Sequence, residues 1–168
     1  MNTNRYSLPG ALLCALLTLG ATAQGQSADQ DHDRTQIVAL IDKYAESVSR
    51  ADTGLAAEIW STDEDVTFIH PKGCEHGWDQ VRTNVYEKLM GAALTGRRLT
   101  IHDVAVHVSG EMAWAEFQWD FSATRRSDGA PVNTRGRETQ IYRKTGRGWR
   151  IVHVHYSGVP VRPEGPGT

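Results

Sequence analysis

The chain has 168 residues, 39% of them hydrophobic and 23% charged. That is enough for one packed core and too little for a multidomain assembly. Eighteen Lys and Arg stand against twenty Asp and Glu, a formal charge of −2, and this lacks the basic excess of a phosphate-tracking surface, so no nucleic acid partner is expected.

Residues 1–23 read as an export signal. Arg5 is a short positive start, Leu8 to Leu19 an apolar stretch, and Ala21-Thr22-Ala23 a small-residue cleavage site. The apolar stretch is shorter than the roughly 20 residues that span a bilayer, so after cleavage no membrane association is expected and the protein is periplasmic or secreted. Cleavage removes Cys14 and leaves Cys74 as a single thiol, which rules out an internal disulfide in the mature chain. Residues 24–32 are polar and read as a flexible leader. The domain is expected over 33–160, and residues 161–168, rich in Pro and Gly, read as a flexible tail.

Ile37, Leu40, Ile41, Tyr44 and Val48 recur on one helical stripe, which predicts a helix from about Asp33 to Arg50. Asp52 or Thr53 can cap a short second helix carrying Leu55, Ile59 and Trp60. Val66 to His70 alternates as a strand and stops at Pro71, which places His70 at a strand end. Trp78, Val81, Val85 and Leu89 predict a third helix over 77–90. The period then changes to two, giving β-type runs at Arg98 to Val108, Met112 to Thr124, Val132 to Lys144 and Trp149 to Ser157, separated by hairpin-type breaks. Helices first and a meander afterwards is an α+β pattern, with helices packed on one face of an antiparallel sheet.

Phe68-Ile69-His70-Pro71, Asp103 to Val108, Arg137 to Tyr142 and Gly148 to Gly158 together resemble the SnoaL-like branch of the nuclear transport factor 2-like superfamily. The last two are also similar to the association domain of calcium/calmodulin-dependent kinase. The resemblance covers about Asp33 to Pro160 and implies three N-terminal helices on a strongly curved, mostly antiparallel sheet, a cone-shaped α+β barrel with a pocket. It does not choose a function, because this fold hosts isomerases, cyclases, dehydratases and oligomerisation hubs.

In the ketosteroid isomerases of that fold a tyrosine on the first helix and a base at a strand end do the chemistry, and Tyr44 and His70 occupy the matching places. A histidine titrates near neutrality and suits proton transfer, with Tyr44 as donor to a developing oxyanion. The isomerases carry a carboxylate where this chain has His70, and their second acid falls near Arg137. Arg135 and Arg137 could instead hold an anionic ligand. Phe117, Trp119 and Phe121 share one parity and are expected to meet Val154 and Tyr156 as an apolar pocket wall, with Phe68 and Trp60 beside them.

The opposite parity is read as polar: Glu116, Gln118 and Asp120, then Glu138 and Gln140, then His153 and His155. In the superfamily this outer face commonly forms a dimer, so a homodimer through these residues is expected. His70, Cys74 and His76 match no strong metal signature, and no phosphate-binding glycine loop is present, so neither a metal nor a cofactor is expected. Two readings stay open: an acid/base enzyme of isomerase, cyclase or lyase type acting on a small, partly apolar, anionic molecule, and a non-catalytic binding or assembly module.

Overall fold

In the computed structural model, residues 18–159 are described, with side chains from Ala28 onward. Residues 1–17 of the expected export signal and the expected tail at 161–168 lie outside the described residues. The chain divides after His32 into two units, and all that follows concerns the second.

The apolar stripe of the first helix is the seed of the core. Helix α1 (Thr18–Arg50) buries Ile37, Ile41, Tyr44 and Val48, the residues whose spacing selects one face. Its helical run begins upstream of the expected start at Asp33 and includes residues 24–32, where a flexible leader is read from the sequence. Helix α2 (Thr53–Ile59) opens as expected on Asp52, whose side chain accepts a hydrogen bond from the Leu55 N–H at 3.0 Å.

Strand β1 (Thr67–His70) is followed by a strand that the sequence reading lacks, β2 (Gly73–His76), antiparallel to it. Only four residues long and mostly exposed, β2 carries no apolar alternation to betray it. The third helix starts at Gly77 as α3 (Gly77–Gln80) and widens into a π-helix (Val81–Ala92). The widening turns Val85, Tyr86, Leu89 and Met90 toward one space. Its terminal carbonyls are capped by guanidinium groups, Arg97 Nη1 on Met90 O at 2.8 Å and Arg126 Nε on Gly91 O at 3.2 Å.

Strands β3 (Leu94–Ser109), β4 (Met112–Arg125), β5 (Pro131–Thr145) and β6 (Gly148–Gly158) form the expected meander. The six strands lie in the order β2-β1-β6-β5-β4-β3, with β1 parallel to β6 and all other neighbours antiparallel. Two irregularities bend β3, between Thr95 and Arg98 and between His102 and Ala105, with Gly96 and Asp103 at positive φ. A third shifts the β5–β6 register beside Ile141. It lets β6 bury Ile151 and Val154, three residues apart, on the same face.

Along β4 the alternation is regular: Ala113, Ala115, Phe117, Trp119, Phe121 and Ala123 are buried while Glu116, Gln118 and Asp120 are exposed. Register then decides β5. Phe117 sits opposite Glu138 and Ala115 opposite Gln140, so both polar residues share the inner face. They are 5% and 0% exposed. This corrects the expectation that Glu138 and Gln140 belong to an outer dimer face: hydropathy assigns them to solvent, but cross-strand pairing with Phe117 and Ala115 takes them inside.

Candidate functional site

Between α1, the π-helix and the concave sheet lies a cavity of about 220 Å³. Its wall is almost wholly apolar: Val48, Val85, Leu89, Met90, Leu94, Leu99 and Val132, with Trp60, Phe68, Trp119, Phe121 and Tyr156 as aromatic panels. Its polar lining is Tyr44, Tyr86, Lys72, Thr134 and Glu138. Glu138 is the single carboxyl group among these lining residues. The volume lies below the roughly 300–1,000 Å³ of pockets for drug-sized ligands, so an occupant is a small molecule.

Strand period places Glu138, Gln140 and Tyr142 in line on the inner face of β5. The Tyr142 hydroxyl donates to Gln140 Oε1 at 2.5 Å, and Gln140 Nε2 donates to Glu138 Oε1 at 2.7 Å. Tyr44, from α1, lines the same cavity as Glu138 and helps to hold its pKa down. Burial pushes Glu138 up to about 7, against the opposing pull of the Gln140 amide and of Tyr44. No cationic group contributes to that balance. Burial first, and the Glu138 charge second, drive Tyr44 well above the usual phenol range. The pair is therefore a carboxyl that can gain or lose a proton near neutrality beside a phenol that stays protonated and donates.

Tyr86 lines the same cavity but has no proton to spare. Ser47 Oγ donates to the Tyr44 carbonyl at 2.8 Å, so the 2.9 Å contact between Ser47 Oγ and Tyr86 Oη uses the Tyr86 proton. Trp60 Nε1 donates to the same Tyr86 oxygen at 3.2 Å. Burial lifts Tyr86 to about 12. Its hydrogen-bond chain holds the turn of α1 that carries Tyr44, a structural task. Trp119 differs: its Nε1 is buried with no partner among the described residues.

Several residues read from the sequence lie in the cavity wall. Tyr44, Trp60, Phe68, Trp119, Phe121 and Tyr156 all line the cavity. Phe117 and Val154 belong to the buried core but not to the cavity lining. Arg135 and Arg137 are corrected: register puts them opposite Asp120 and Gln118 on the outer face, exposed, so they do not project into the cavity.

His70 is close to the cavity but outside its lining. Its ring stacks on Tyr156 at 6.2 Å and an interplanar angle of 16°. The Lys72 N–H donates to His70 Nδ1 at 3.3 Å, which assigns the ring proton of the neutral form to Nε2, 3.5 Å from Glu75 Oε1. Glu75 in turn accepts from Asn84 Nδ2 at 2.6 Å. The histidine is thus held by the β1–β2 hairpin, an element without a sequence signal. Cys74 on the same hairpin is an exposed free thiol.

Glu138 is the candidate site residue that sequence reasoning places on the wrong face. Its signal was the polar pair Glu138 and Gln140 flanked by Gly136 and Tyr142, a strand whose apolar residues are too few to fill an inner face alone.

Comparison with known proteins agrees with this architecture. A family model described as the SnoaL-like domain matches residues 37–162. A nuclear transport factor 2-like superfamily protein from Salmonella enterica serovar Typhimurium is 39% identical, with a TM-score of 0.79, over 83% of this chain and 99% of that one. A candidate dehydratase of the same superfamily from Streptomyces avermitilis shares 22% identity at a TM-score of 0.69, over 78% and 99%. A candidate calcium/calmodulin-dependent protein kinase II association domain from Xanthomonas campestris shares 18% at 0.62, over 74% and 86%. The latter two likenesses speak to the fold alone.

Proposed function

This chain belongs to the SnoaL-like family of nuclear transport factor 2-like proteins, and on that premise we propose that it binds a small, largely apolar molecule bearing a carbonyl or hydroxyl oxygen and moves a proton on it. Glu138 is the acid/base group and Tyr44 the donor that steadies the oxygen, without a cofactor in the step. The observation that carries this reading is a lone carboxyl in an apolar cavity wall, sharing that wall with the Tyr44 hydroxyl and placed near neutrality by its burial. With Arg135 and Arg137 outside, Lys72 is the one Lys or Arg among the lining residues, and the wall favours a largely apolar ligand. His70 is then a support for Tyr156 rather than the group that meets the ligand.

Proton transfer at a carbon beside a carbonyl can be read without knowing the natural substrate. Small cyclic ketones incubated with the protein in deuterium oxide should gain deuterium at that carbon, followed by mass spectrometry. Glu138→Gln should lower the exchange rate by about 100-fold or more, while binding, read from Trp60 and Trp119 fluorescence, persists. Equal exchange in both proteins would refute the assignment.

The outer face favours a second copy of the chain as partner. Glu116, Arg135 and Arg137 are exposed there, and none forms an ion pair among the described residues. Opposite charges on one sheet face can pair across a two-fold axis. We therefore propose a homodimer through Glu116, Gln118, His153 and His155, without Glu138 or Gln140. Arg135→Glu with Arg137→Glu should turn a dimer into a monomer in sedimentation; wild type that sediments as a monomer would overturn it. Export, read from residues 1–23, completes the proposal and is tested by cell fractionation.

A further inference from the structure

Three inward residues of β5, Glu138, Gln140 and Tyr142, form a directional chain that has one consistent proton arrangement while Glu138 is a carboxylate. The Tyr142 hydroxyl has a single proton and one acceptor, Gln140 Oε1. That bond turns the amide so that Nε2 faces Glu138 Oε1. If the amide were reversed, its NH₂ would meet the Tyr142 oxygen, the Tyr142 proton would lose its acceptor, and the amide oxygen would face the carboxyl. That arrangement is compatible only with a protonated Glu138, which would have to donate to it.

We infer that Gln140, locked in one orientation by the Tyr142 hydroxyl, is a positioning residue for Glu138, holding its carboxylate form ready and tying one of its two oxygens to the strand. All three side chains are buried, so water does not substitute for a lost partner and the orientation of one amide has a large effect. The groups facing Glu138 are tyrosines from every packed element: Tyr44 from α1, Tyr86 from the π-helix, Tyr142 from β5 itself and Tyr156 from β6. Burial raises each of these above the usual phenol range, so none adds a charge near neutrality. Of the groups around the carboxyl, the Gln140 amide is therefore the one whose reversal changes a donor into an acceptor.

The consequence for turnover rests on the assignment of Glu138 as the acid/base group, but the positioning role is measurable without a substrate. In protein labelled with ¹³C at the glutamate carboxyl, the Glu138 signal is identified by its loss in Glu138→Gln and followed against pH. Tyr142→Phe should raise the midpoint by about one pH unit, because neither amide orientation is then preferred. Gln140→Met should raise it at least as far, because the donor is gone. Far-ultraviolet circular dichroism confirms that each variant is folded, and Gln140→Met serves alone if Tyr142→Phe does not fold. Midpoints equal to wild type would overturn the inference. Deuterium exchange separates the two readings. Exchange present with unmoved midpoints leaves Glu138 as acid/base group and removes Gln140 from its role; moved midpoints without exchange do the reverse.

Discussion

Glu116 and Glu138 stand on adjacent strands, one register step apart: Glu116 lies opposite Thr139, and Glu138 lies opposite Phe117. The first is exposed and its side chain carries no hydrogen bond among the described residues; the second is 5% exposed and held by the Gln140 amide. The same side chain is an exposed surface carboxylate in one place and, in the other, a buried carboxyl pushed up to about 7. A single step of strand period makes that difference, with no change of residue type, because it decides which groups replace water around the carboxyl.

The most severe way to break the contrast is to disturb the register that creates it. A Cβ on Gly136 would overlap the Ser157 carbonyl oxygen and lie 2.7 Å from Trp119 Cζ2, so Gly136→Ala must push β5 and β6 apart. It should cost about 3 kcal/mol or more in urea unfolding. Comparable in size is the penalty of ionising Glu138. The folded state holds that proton up to about pH 7, whereas an unfolded carboxyl releases it near its usual 4.5. Between those values the native state binds more protons, so stability falls as pH rises through the window and levels off above it. The full fall is about 3 kcal/mol, and thermal melts of Glu138→Gln should show none of it.

Smaller effects sharpen the comparison further. Ser47→Ala leaves the buried Tyr86 hydroxyl without its acceptor and should cost about 1–3 kcal/mol by denaturant titration. On the outer face Glu116→Gln should shift stability by no more than about 0.5 kcal/mol. A Glu116→Gln variant that changed the pH dependence of stability as much as Glu138→Gln does would erase the distinction between the two faces.

Much of the frame was legible from residue pattern. The stripe Ile37, Ile41, Tyr44 and Val48, the Asp52 cap and the inward parity of Phe117, Trp119 and Phe121 all follow from periodicity, and the structure repeats them. Tyr44 came from the family resemblance and does line the cavity. Glu138 was illegible because hydropathy sends an isolated carboxylate to solvent, and only cross-strand register brings it in. The parity of β6 is reset by an irregularity that no local signal announces. The hairpin that supplies Glu75 to His70 pairs through backbone, with side chains that show no alternation. Pattern reads elements well; it does not read which polar residues the elements enclose.

The bends in β3 have a consequence of their own. In the sheet order this strand lies at an outer margin, and at sixteen residues it is the longest strand in the molecule. A straight margin of that length would offer an unbroken row of amide and carbonyl groups, a template for edge-to-edge pairing with any extended peptide. The displacements at Thr95 to Arg98 and His102 to Ala105, with Asp103 turned to φ 55° and its charge at the rim, interrupt that row twice. The same distortions that wrap the sheet around its contents thus also protect its free border from recruiting a stray strand.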